Sequence, residues 1–346
     1  MRNIEAGEAL IRTGASSWQS SLTVKTMQRL LLLLLVLAAV PSQADDYAPL
    51  VDVDTIGATH DLVVFDDSRG REIPVLASLP AGSSAASVVL FSHGLGGSRR
   101  GNAYLREHWT KRGYATVFMQ HPGSDEAVWK DEEPRRRVAA MTAAASLKNM
   151  RARVGDVGVV LDALESWNGD ATSPLSGRLD LTHIGMAGHS FGARTTQAVA
   201  GQAGWSTVSG RDPRLDAAVM FSPSSPQFAS AAAAFGSVDI PWLLMTGTED
   251  VAPIGGATVK DRLAVFSALP PGNKYELVFA GGPHHAFSDH SNRRLPPRNP
   301  NHHRVIQAFT TAFWDAYLRG NKDAARWLEG TEAREMLEPG DRWQMK

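Results

Sequence analysis

The chain has 346 residues, 43% hydrophobic and 21% charged, with a formal net charge of -1 and no cysteine. That balance supports a large buried core and excludes a bulk-disordered chain or a strongly basic nucleic-acid binder. Without cysteine there is no disulfide scaffold, thiolate zinc site or cysteine nucleophile, but export stays open, since a domain this large folds without staples.

In chain order, Lys25 and Arg29 precede an unbroken apolar run from Leu30 to Val40, followed by Pro41 and the small-residue pattern Ser42-Gln43-Ala44. A basic flank, a short apolar run and a small-x-small site predict a secretory signal peptide cleaved after Ala44. The run falls short of the roughly 20 residues that cross a bilayer, so no stable membrane span is expected after cleavage, with an uncleaved membrane anchor as the rival reading. On this reading residues 1–44 are an extension and leader, with Met27 a candidate initiator, 45–346 is one domain, and the protein is periplasmic or secreted.

Beyond the leader, short β-rich runs alternate with helical stretches. His60–Phe65 and Glu72–Leu79 read as a hairpin-like pair of strands turning at Ser68-Arg69-Gly70. Ser87–Ser92 is an apolar strand, Gly101–Arg112 a helix stopped by Gly113, and Tyr114–Met119 a strand. A polar stretch from Gly123 to about Arg137 leads into a long helix with Val154, Val157, Leu161 and Leu164 at helical spacing. Then come strand His183–Ala187, helix Phe191–Gly201, and strands Ala217–Phe221 and Trp242–Thr246. Helix Ala257–Leu269, strand Tyr275–Ala280 and a final helix Val305–Leu318 complete the series. Such alternation predicts an α/β fold with a mostly parallel sheet covered on both faces.

Gly188-His189-Ser190-Phe191-Gly192 fits G-x-S-x-G between an apolar strand and a helix-compatible run. That context distinguishes it from a chance glycine-rich turn. A serine on so tight a strand-to-helix turn is exposed for attack. The strand before His93-Gly94-Leu95-Gly96-Gly97-Ser98 feeds a glycine-rich loop able to aim amides at one spot. The backbone N–H groups of Leu95 and Phe191 are the candidate oxyanion donors. A P-loop fails here because Gly97 is followed by Ser98-Arg99. A dinucleotide fingerprint fails because Arg99 stands where its third glycine belongs. His93 reads as structural.

An acid is expected after strand Trp242–Thr246, where Asp250 is the first choice and Glu249 the rival. A base is expected after strand Tyr275–Ala280, where residue type alone leaves His284 and His285 open. The pairs His284-His285 and His302-His303 lack the H-E-x-x-H spacing of a metal site, so neither a metal nor a cofactor is expected.

These segments resemble the dienelactone hydrolase-like and platelet-activating-factor acetylhydrolase-like branch of the α/β-hydrolases over roughly residues 60–320. The resemblance is carried by Phe91–Ser98, by Gly188–Gly192, by Gly247-Thr248-Glu249-Asp250 with Pro253, and by His284 with Phe287. It implies a central sheet of about eight strands with helices on both faces. It also implies Asp250 as the acid and His284, three residues before a phenylalanine, as the base. A covering segment at about Gly123–Met150 is implied too, with Trp129 either facing substrate or packing. Dienelactone hydrolases use a cysteine where this chain has Ser190, which turns the expectation toward a small-molecule carboxylic ester and acyl transfer. An amidase or peptidase on the same triad, and a non-catalytic binding protein of the same fold, are the rival readings. Reactivity of Ser190 separates the last from the others.

Overall fold

The apolar runs become strands because each buries side chains on both faces. The computed structural model describes residues 47–50, 55–203, 210–227, 229–289 and 297–346. The proposed leader, its cleavage point and Met27 lie outside the described residues. Tyr47–Lys346 forms one compact unit.

Strands β1 (Ile56–Asp66) and β2 (Arg71–Pro80) pair antiparallel, with Val64 opposite Ile73 and the turn between Asp66 and Arg71. β3 (Ala86–Ser92) and β4 (Ala115–Met119) are buried at every position. β5 (Leu179–His189), β6 (Leu215–Phe221), β7 (Trp242–Glu249), β8 (Lys274–Pro283) and β9 (Arg342–Met345) complete a nine-stranded sheet of order β1-β2-β4-β3-β5-β6-β7-β8-β9. β4, β3, β5, β6, β7 and β8 run parallel, whereas β1, β2 and β9 join antiparallel at the edges. The architecture is therefore mixed α/β with a mostly parallel sheet.

The two-residue strand period sorts the core. Val89, Phe91, Phe118, Ala187, Val219, Met245 and Phe279 face α1 (Ala103–Lys111) and α8 (Pro300–Leu318), which contribute Leu105, Trp109, Phe309 and Phe313. Val88, Leu90, Val117 and Met186 face α4 (Leu147–Gly169), which contributes Val157, Val160, Leu161 and Leu164. Each such side chain contributes at most about 1.5–3 kcal/mol by leaving water. Ser146 caps α4 by accepting from the Asn149 N–H.

Between β4 and α4 the polar stretch forms two short helices, α2 (Ala127–Lys130) and α3 (Arg137–Ala144). After β5 come α5 (Phe191–Val199), α6 (Ala231–Phe235) and α7 (Val259–Ala268). The expected final helix is not final: α9 (Lys322–Glu329), α10 (Thr331–Glu335) and β9 follow it. β9 makes the sheet one strand wider than the expected eight. It is four residues long, too short for its alternation of Arg342, Trp343, Gln344 and Met345 to stand out; its place comes from pairing Met345 with Tyr275 and Trp343 with Leu277. Among the described residues no helix is long and apolar enough to cross a membrane.

The strand order reverses between β3 and β5: β3 connects outward to β4, and every later parallel strand adds on the other side. Open α/β sheets place ligands beyond the carboxyl ends of the strands at such a switch point.

Candidate active site

β3 ends in the His93–Ser98 loop and β5 ends in Ser190, so the switch point brings the two glycine-rich motifs side by side. A Cβ built on Gly94 would lie 3.6 Å from the Ser190 Cβ. Ser190 has φ 56° and ψ -111°, a conformation that L-residues rarely adopt and that costs on the order of 1–3 kcal/mol. Its N–H donates to the Phe221 carbonyl at 2.9 Å, which pins the turn to β6. The turn tolerates only glycine on either side: a Cβ at Gly188 would meet the Gly192 carbonyl, and one at Gly192 would meet the carbonyls of Ser92 and His93. Ser190 occupies the N-cap of α5, yet its hydroxyl makes no capping bond.

That hydroxyl instead lies 2.9 Å from His284 Nε2, and His284 Nδ1 lies 2.6 Å from Asp250 Oδ1. The carboxylate can only accept, so Nδ1 carries the proton and Nε2 accepts from Ser190. His284 opens a 3-10 turn at the end of β8, and its backbone carbonyl accepts from His189 Nε2 at 3.2 Å. His189, buried against His284 with ring centroids 4.9 Å apart, is held at about pKa 3 by burial and by the neighbouring His284. It is therefore a neutral prop.

Asp250 is fully buried just past β7. Burial pushes its pKa up, but the hydrogen bond from His284 and the Arg262 charge outweigh that and hold it at about 2. Thr246 Oγ1 donates to its second oxygen at 2.9 Å. Arg262, on α7, places Nε 3.0 Å from Asp250 Oδ1 and donates Nη1 to the carbonyls of Ser222 and Pro223. Arg262 was not among the residues the sequence singled out; a charged residue on the buried face of a short helix was the available signal. Glu249, the rival acid, is exposed at the strand end. His285 lies in the same 3-10 turn, but it is His284 that bridges Ser190 and Asp250.

Neither the Leu95 nor the Phe191 N–H donates to another described residue. Several groups around Leu95 are engaged. The Gly96 N–H donates to the Ser124 carbonyl, the Gly97 N–H to the Gly94 carbonyl, and the Glu126 N–H to the Gly97 carbonyl. The side chains of Leu95 and Phe191 pack with Met150, Val154 and Ala198 in a small apolar cluster. Trp129, on α2, donates Nε1 to the Gly96 carbonyl at 2.7 Å, and Arg137 sits over its ring. Trp129 thus packs on the glycine loop, and the 123–150 segment rests against that loop.

His93 is structural in its contacts: its Nε2 accepts from the His121 N–H at 3.1 Å, and its Nδ1 lies 2.6 Å from the Gly94 carbonyl. His302 is buried on α8, and among the described residues no cluster of His, Asp and Glu could hold a metal ion. No protein-family model matches this chain, and no curated protein matches it.

Proposed function

We propose that this protein is a serine hydrolase of the α/β-hydrolase fold that cleaves carboxylic esters of small molecules through an acyl-enzyme intermediate. The observation that carries the reading is the Ser190–His284–Asp250 chain, with contacts of 2.9 and 2.6 Å, on a strained turn at the switch point.

The chemistry follows from those positions. Ser190 Oγ attacks the ester carbonyl as His284 Nε2 takes its proton. Asp250 keeps the imidazole in the Nδ1–H tautomer and stabilises the imidazolium. The oxyanion sits against the Leu95 and Phe191 amides, aided by the positive end of α5. His284 returns the proton to the leaving alcohol. Water then adds to the acyl-enzyme with His284 again as base, and the acid departs. The Leu95, Met150, Phe191 and Ala198 side chains favour an apolar acyl group on that side. On the same proposal the 25–44 leader exports the chain to the periplasm or beyond.

The test is incubation with a fluorophosphonate followed by peptide mapping, then hydrolysis of esters of graded acyl length. Labelling at Ser190 that disappears in His284→Ala but persists in His285→Ala is the expected result. A folded wild-type protein that neither labels nor turns over any ester would overturn the reading.

A further inference from the structure

Outside the site just described, a buried polar cluster lies against the glycine loop. His121 Nδ1 is 2.9 Å from Asp156 Oδ2, and His121 Nε2 is 2.9 Å from Ser92 Oγ. Ser92, His121 and Asp156 are fully buried, and so is Arg153. Asp156 accepts at Nδ1, so Nε2 is an acceptor and Ser92 donates its proton there. The remaining Ser92 lone pairs face Arg153 Nη1 at 3.2 Å. Arg71 clamps Asp156 from the other side with Nε and Nη2 at 2.8 and 2.9 Å.

Arg153 divides its remaining donors between the loop and Ser124. Nη1 donates to the His93 carbonyl at 2.8 Å, Nη2 reaches the Gly94 carbonyl at 3.4 Å, and Nε donates to Ser124 Oγ at 2.8 Å. Its guanidinium carbon also lies 4.7 Å from the centre of the Phe191 ring. One cation therefore touches both residues whose amides stay unbonded, or their immediate neighbours.

The peptide between Gly94 and Leu95 is planar and trans, so its C=O and N–H point in opposite directions. Whatever holds the Gly94 carbonyl fixes the direction of the Leu95 N–H. Glycine has the greatest backbone freedom, so the orientation of the two peptides flanking Gly94 must be imposed from outside. His93 Nδ1 and the Gly97 N–H hold the Gly94 carbonyl at 2.6 and 3.0 Å, and Arg153 adds the hold on the His93 carbonyl and a longer reach to the Gly94 carbonyl. We propose that Arg153, held in place by Ser92, His121 and Asp156, is a positioning residue that sets the Leu95 amide toward the oxyanion. The inference rests on the hydrolase reading above.

The experiment measures kcat and KM on p-nitrophenyl butyrate for Arg153→Met, Arg153→Lys and Ser92→Ala. Beside these it measures Ki for phenylboronic acid, which bonds to the serine oxygen as a tetrahedral anion. Arg153→Met is expected to lower kcat roughly 30-fold, less than the 100- to 1000-fold loss from deleting a donor outright. Boronic acid Ki rises in parallel while KM stays within about threefold, because the substrate carbonyl carries little charge before attack. Arg153→Lys, which keeps the charge but not the fork, recovers part of the loss. A fall in kcat with unchanged boronic acid affinity would leave Arg153 a merely structural role and overturn the inference, as would unchanged kcat. If Arg153→Met does not fold, Ser92→Ala decides: a parallel change of about fivefold in kcat and Ki is expected, and none refutes. Folded wild-type protein that neither labels with fluorophosphonate nor turns over any ester sinks the hydrolase reading itself. A labelled wild type with indifferent Arg153 variants sinks only this inference.

Discussion

The molecule holds two Ser–His–Asp chains of nearly the same dimensions. In Ser190–His284–Asp250 the contacts are 2.9 and 2.6 Å; in Ser92–His121–Asp156 both are 2.9 Å. Residue type and pairing therefore do not distinguish them. Presentation does. Ser190 sits half-buried at positive φ, with the glycine loop close beside it at Gly94. Ser92 lies in a regular strand, fully buried, with Arg153 against its oxygen. The first serine is partly open to solvent; the second is enclosed. A hydrogen-bonded triad is thus a frame for a nucleophile only where the backbone opens it to a substrate.

The sharpest way to break this contrast is to remove each serine. Ser190→Ala should cost about 10⁶-fold in kcat, with a thermal midpoint within about 2 °C of wild type. Ser92→Ala should keep its fluorophosphonate labelling. Comparable activity losses in both variants would erase the distinction.

The acids come next. Asp250→Asn leaves a site of the same shape with the wrong tautomer, and kcat should fall about 10⁴-fold. Asp156→Asn leaves Arg71 and Arg153 without their buried counter-charge. Its expected effect is a stability loss of about 3–5 kcal/mol in urea titrations. If Asp156→Asn unfolds at the wild-type urea midpoint, the buried chain is not the structural frame described.

A smaller effect appears with pH. Burial and the Arg153 charge hold His121 at about 4, and burial with His284 holds His189 at about 3. Below pH 6.5 the unfolded chain takes up protons at these imidazoles while the folded protein does not, so stability falls as pH falls. Each contributes at most ~1.4 kcal/mol per pH unit between 6 and 5. Asp250 and Asp156 stay charged there, since their contribution is lost only as pH falls from 3.8 through about 2. Equal urea midpoints at pH 7 and pH 5 would contradict neutral, buried His121 and His189. The smallest expected change is Trp129→Phe, which loses one donor to Gly96. It should lower kcat/KM about threefold, measured on the same ester.

The catalytic candidates were legible because Gly188, Ser190 and Gly192 advertise a backbone that only glycine permits. Asp250 and the His284-His285 pair also follow apolar strands. Which histidine turns inward is decided by the 3-10 turn after β8, a tertiary feature with no local code. The buried chain was not legible. Of the expected α4 stripe, Val157, Leu161 and Leu164 are buried and Val154 is partly buried, but the buried face also takes in Met150, Arg153, Asp156 and Val160. Arg153 and Asp156 look like solvent-facing charges until β3 and β4 supply Ser92 and His121. The sheet core was readable from runs such as Val88–Phe91, while β9 was hidden by its brevity.

The buried chain is also the more local of the two. Its links span 29 and 35 residues, whereas Ser190 reaches His284 across 94. Closing the longer loop costs about 1 kcal/mol more in chain entropy. Assembly should therefore have an order. In refolding monitored by hydrogen exchange, amides of β3, β4 and α4 should gain protection before Ser190 regains reactivity. On the proposed function, the cradle for the developing charge is then in place before the group that generates it.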